Sequence, residues 1–147
     1  MREVVNAFEL AASPAVTWAL LTGTAAWPAW SPNWRGLRGV LQPGERAFLD
    51  VIPQRPWLPA SYPIHVDTVD AERELCWSGP TTAGRWLLRA SHQFLLSPLP
   101  QGGTRLVHGE QFTGPLVPLV WPLLGPLVAW GHGALNEALR QRLGTPG

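Results

Sequence analysis

The chain has no lysine and one cysteine, and charged residues fill only 14% of its 147 positions, against about 25% in an average soluble protein. Each scarcity removes a class of function. Without lysine there is neither a Schiff base nor a lysine general base. Cys76 has no partner for an intrachain disulfide, and a plain strand residue suits it better than a catalytic thiol. All eleven positive residues are arginines, scattered without a basic run, and the formal net charge is +1. Nucleic acid needs a concentrated positive footprint, so it is set aside as a partner. The opening stretch MREVVNAFELAASP lacks the long apolar run of a signal peptide, and a cytoplasmic location is expected.

Apolar surface and tryptophan are what the chain does have. Apolar residues make up 46% of it, and three of its nine tryptophans fall within WPAWSPNW, residues 27–34. The length predicts a single domain, 1–147, with a core that buries roughly 70% of the unfolded surface. No charged residue lies between Gln111 and His132, where GPLVPLVWPLLGPLVAWG is strongly apolar. A spanning helix needs about 20 such residues. Pro115, Pro118, Pro122 and Pro126 interrupt this run, and each interior proline costs a helix about 3 kcal/mol. A lid over an apolar cavity is the first reading of segment 115–130, and docking on a membrane surface or a partner is the second.

VVNAFELAA alternates, with Val4, Asn6, Phe8 and Leu10 on one face, and predicts a strand. In SPAVTWALLTG, Ser13 is an N-cap, Pro14 the first helical residue and Gly23 the stop. A second short helix is expected from Thr24 to about Trp30, ended by Pro32. Strands follow near 34–41, 45–52, 61–69, 72–78, 84–97 and 103–113, with turns at 42–44, 54–59, 79–84 and 98–103. A long helix closes the chain, regular from about Pro126 to Leu143, with Leu127, Gly131, Leu135, Ala138, Leu139 and Arg142 on one stripe. The order is strand, two short helices, six strands, long helix, which predicts an α+β fold with one antiparallel sheet around the terminal helix.

The hairpin at 84–113 concentrates the polar residues. Trp86, Leu88, Ala90, His92, Phe94 and Leu96 share its inner face, as do Leu106, His108, Glu110 and Phe112 on the next strand. A five-residue loop pairs 98 with 104, which sets His92 opposite Glu110 and Phe94 opposite His108; a two-residue slip sets His92 opposite His108. Either register gathers His92, His108 and Glu110 on one wall. Such a trio can satisfy its own hydrogen bonds and orient a ligand, move protons, or bind a transition metal facially. No further His or Cys is expected beside it, with His65 and His132 placed on solvent faces or at the cavity mouth, so neither metal nor cofactor is expected.

ELAASPAVTWALLTGTAAWPAWSP, RELCWSG, ASHQFLLSPLPQGGTRLVHGEQFTGPL and GALNEALRQRL, in that order, resemble the polyketide cyclase/dehydrase-like branch of the START-like (SRPBCC) superfamily. The resemblance spans nearly the whole chain. It implies the helix-grip fold: a seven-stranded antiparallel sheet wrapped around the long C-terminal helix, two short helices after strand 1, and an apolar ligand cavity between sheet and helix. The segment holding His108, Glu110, Phe112 and Gly114 carries the resemblance in fold more than in catalysis, and the proline-rich lid departs from it. Trp27 and Trp30 are expected as architecture, Trp34 at the cavity rim, and Trp86, Trp121 and Trp130 against ligand. The expected cavity is lined by Phe8, Tyr62, Ile64, Trp86, Leu88, Phe94, Phe112, Leu127, Trp130 and Leu135, with His92, His108 and Glu110 as the polar or catalytic end. The expected partner is a hydrophobic small molecule, lipid-like or aromatic, bound to a monomer or homodimer. A cyclase or dehydratase using a His/Glu acid–base pair is the alternative.

Overall fold

The computed structural model describes residues 1–80 and 83–147. The N-terminal alternation becomes β1 (Arg2–Leu10), with Phe8 and Leu10 buried. Ser13 caps α1 (Pro14–Thr22), its hydroxyl accepting from the Val16 N–H at 3.3 Å. Pro14 stands where a helix has no use for an N–H. A 3-10 turn, Thr24–Ala26, leads into α2 (Trp27–Trp30). Trp27 is fully buried; its indole N–H donates to the Leu21 carbonyl at 3.1 Å and its ring lies 4.6 Å from that of Trp34. The closely spaced tryptophans therefore plug one end of the sheet, and Trp34 extends the cluster to Trp77 and Phe94.

Six strands follow: β2 (Trp34–Arg38), β3 (Arg46–Val51), β4 (Ser61–Asp70), β5 (Glu74–Gly79), β6 (Arg89–Pro98) and β7 (Thr104–Thr113). They form one seven-stranded antiparallel sheet in the order β1-β7-β6-β5-β4-β3-β2. Consecutive strands from β2 to β7 are antiparallel neighbours, and β1 closes beside β7. The β6–β7 register is the one that a five-residue loop dictates, with Pro98 opposite Thr104 and His92 opposite Glu110. The long helix α3 (Val117–Leu143) packs against β1 and β7. This is the helix-grip arrangement, α+β, with the core between sheet and helix.

Two expectations are corrected. The strand predicted from residue 84 begins at Arg89, because Ala83–Trp86 winds into a 3-10 turn. The Leu87 and Leu88 N–H groups donate to the Gly84 carbonyl, which closes the backbone locally. Part of the turn expected at 79–84, residues 81–82, lies outside the described residues. The final helix begins at Val117 rather than near Pro126, and Pro122 and Pro126 lie inside it. Prolines 118, 122 and 126 are four apart and share one stripe; Pro118 stands in the first turn, where no N–H is needed, so only Pro122 and Pro126 remove helical hydrogen bonds. All three are exposed, which leaves the freed carbonyls open to water. At the entrance to α3, Gly114 has φ +119°, and a Cβ there would overlap the Leu87 carbonyl.

Candidate functional site

The C-terminal half of α3 lies directly on the sheet, where Leu135, Leu139 and Leu143 are buried. The N-terminal half stands off, and a cavity of about 420 Å³ opens beneath it. Tyr62, Ile64, Leu88 and Phe112 form its walls with Trp34 and Trp77, and Leu124, Leu127 and Val128 form its roof. Segment 115–130 is thus helical from Val117 on and two-faced: Leu119, Leu123 and Trp130 point outward while the roof residues point in. No described helix is long and apolar enough to cross a membrane.

The polar end of the cavity is set by β6, β7 and α3 together. His92 and Glu110 line it from the sheet, and His132 lines it from the helix. The expectation of His132 at solvent or at the mouth is corrected: it is only 4% exposed. A helical step of 100° puts residues 131, 132, 135, 136 and 139 on the sheet-facing stripe and turns Trp130 away from it. His132 Nε2 meets Glu110 Oε2 at 3.0 Å, and His92 Nδ1 lies 3.6 Å from the same oxygen. His92 Nε2 and His108 Nε2 are 2.9 Å apart. His108 Nδ1 donates to Asn136 Oδ1 at 2.6 Å, because the Asn136 amide nitrogen is committed to Asn6 Oδ1 at 3.2 Å. The His108 and His132 rings stack at 3.8 Å, and His92 stacks on Trp77 at 4.9 Å.

Burial by itself would raise the Glu110 carboxyl. Hydrogen bonding from His132 and His92 outweighs it and holds the group well below the usual carboxylate range. Burial pushes His108 far down, and the neighbouring imidazoles add to that. Burial also lowers His132, despite its bond to Glu110, and raises Tyr62 across the cavity. The result is a carboxylate among imidazoles at the end of an apolar hollow, a setting for hydrogen bonding, proton transfer or cation binding.

Of the residues expected to line the cavity, Tyr62, Ile64, Leu88, Phe112 and Leu127 do so, with His92 and Glu110. Phe8, Phe94 and Leu135 do not; they are packed into the core. Phe8 lies on β1, where Arg140 covers its ring at 4.5 Å, and Leu135 lies past the point where α3 settles on the sheet. His108 is fully buried, behind His92 and stacked on Phe94 at 4.5 Å. Trp86 and Trp130, expected against ligand, instead face outward, 75% and 64% exposed; the 3-10 turn carries out the first and the helical phase the second. Trp121 packs against Phe112, 5.4 Å between rings. Reasoning from the sequence misses His132 and Asn136, which sit four apart beside Leu135 and Leu139, a spacing that marks one helix face. It also misses Asn33 and Gln54, which come from loops and carry no periodic signal.

No family model and no curated protein matches the sequence. Solved structures do. A START superfamily protein from Mycobacterium smegmatis is 20% identical, covers 96% of each chain and has a TM-score of 0.65. The protein TTHA0849 from Thermus thermophilus is 18% identical over 97% of each chain, with a TM-score of 0.71. A truncated norcoclaurine synthase from Thalictrum flavum is 17% identical, covers 97% of this chain and 93% of that one, and has a TM-score of 0.65. The chain has the START-like helix-grip fold that the resemblance implied.

Proposed function

We propose that the protein binds a hydrophobic small molecule in the cavity beneath the N-terminal half of α3. The observation that carries this reading is an apolar cavity of about 420 Å³ that ends at Glu110, His92 and His132. An ionised Glu110 accepts hydrogen bonds and repels anions, so the ligand's polar end is a hydroxyl or another donor rather than a carboxylate. The START superfamily structure and the norcoclaurine synthase share the fold and support either a binder or an enzyme. The neutral dye N-phenyl-1-naphthylamine is a suitable probe. It should bind the native chain with enhanced emission, and Leu124→Trp, which fills the roof, should weaken binding at least tenfold while the fold is retained. Unchanged dye binding in a folded Leu124→Trp variant would show that the cavity is not the site.

A second reading is a cyclase- or dehydratase-type enzyme, favoured by the continuous chain Glu110–His92–His108–Asn136. Here His92 takes the proton and Glu110 holds the imidazole that receives it. Glu110→Gln should abolish turnover while the substrate still binds. Turnover that survives both Glu110→Gln and His92→Gln would remove the assignment.

A further inference from the structure

One ring nitrogen from each of His92, His108 and His132 lies within 4.8 Å of the other two. The hydrogen bonds around the three rings decide which nitrogen each can offer. His108 spends Nδ1–H on Asn136, so its Nε2 lone pair points inward. That nitrogen faces His92 Nε2 at 2.9 Å. Glu110 accepts from the outer nitrogen of His132, Nε2, at 3.0 Å, and the same carboxylate lies 3.6 Å from the outer nitrogen of His92, Nδ1, at ion-pair range. His132 Nδ1 is then left over, and it is buried with no hydrogen-bond partner. The inward nitrogens of the three rings therefore face one another across a gap of a few ångströms. Two lone pairs 2.9 Å apart repel unless something positive lies between them.

We propose that His92 Nε2, His108 Nε2 and His132 Nδ1 form a three-imidazole site for a divalent cation of the zinc class, with a fourth coordination position open to the cavity. Imidazole nitrogens at this number suit zinc, cobalt(II) or nickel(II) better than magnesium or calcium, which take oxygen ligands. Zinc–nitrogen bonds of about 2.0–2.1 Å put tetrahedral ligands roughly 3.4 Å apart, so the His92–His108 pair is already near that spacing. His132 must turn out of its stack on His108 to bring its nitrogen into line. His132 borders the cavity, so the ring has free volume on that side into which to turn. The outer partners are those that tune a metal site: a carboxylate on two ligands and an amide oxygen on the third. Any proton shared between the His92 and His108 nitrogens passes to buffer when the cation enters. Three protein ligands with one open place is the pattern of a site that meets a ligand, and the open place adjoins the apolar cavity. The site is independent of what fills the cavity, because the metal alone tests it.

The experiment uses the full chain stripped of metal with a chelator. Cobalt(II) titration should saturate at one equivalent with visible d–d absorption, and zinc should displace it. Asn136→Ala should weaken zinc roughly 10- to 100-fold, and His132→Ala should weaken it further. His65→Ala, which removes an imidazole paired with Asp67 at 2.9 Å outside the cluster, should leave affinity unchanged. Side-chain nitrogen NMR of the native chain covers the case of an unfolded variant: the zinc-dependent shifts should fall on His92, His108 and His132. No binding by the native chain, shifts confined to His65, or affinity that falls in His65→Ala and not in His132→Ala would each overturn the proposal.

Discussion

The two halves of α3 are one continuous helix over one sheet, yet they do opposite things. From His132 onward it presses Leu135, Leu139 and Leu143 into the core. Before that point it carries the exposed prolines, and its inner face, Leu124, Leu127 and Val128, looks into open space. The small residues lie at the border. A Cβ on Gly131 would come within 2.5 Å of Gln54 Nε2, and its carbonyl accepts from Asn33 Nδ2 at 2.8 Å. A bare helix surface lets the loops of the sheet's far end approach there. The comparison teaches that a helix need not seal a sheet along its whole length: one half supplies stability and the other can leave a volume empty.

The contrast can be broken at graded strength. Leu139→Ala, in the sealed half, should cost about 2–5 kcal/mol of unfolding free energy, read by urea denaturation. Asn136→Ala at the border strips His108 Nδ1 of its buried acceptor, and the same assay should show a loss of about 1–3 kcal/mol. Leu127→Ala, in the roof, removes side-chain atoms that already face a void, so its cost should fall to roughly 1 kcal/mol while dye binding changes more than stability does. Trp130→Ser, on the outer face, should stay within about 0.5 kcal/mol of the native chain. A Leu127→Ala cost equal to that of Leu139→Ala would mean that the roof is packed and the hollow illusory.

Much of this is legible in the residues alone where the signal is local. The five-residue β6–β7 loop and period-two alternation place His92 opposite Glu110, because a strand flips sides at every residue and a short loop leaves few registers. Ser13 and Pro14 mark the start of α1 by the chemistry of a helix end. Trp86 is misplaced by alternation carried back through a stretch whose backbone closes on the Gly84 carbonyl. The early start of α3 escapes a reading by propensity because Pro118 falls in the first turn, where no N–H is needed, and only Pro122 and Pro126 interrupt the helix, on its exposed side.

By itself the amino-acid order determined the sequence of the elements and, within the regular stretches of each, which side chains share a face, since these depend on neighbours a few residues apart. Only the tertiary structure decided which faces meet. His132 and Asn136 come 22 and 28 residues after their partners Glu110 and His108. Nothing local ties them together; the angle at which α3 settles on the sheet does. The site and the hollow beside it both follow from that packing, which depends on the whole surface of helix and sheet rather than on any short pattern within them.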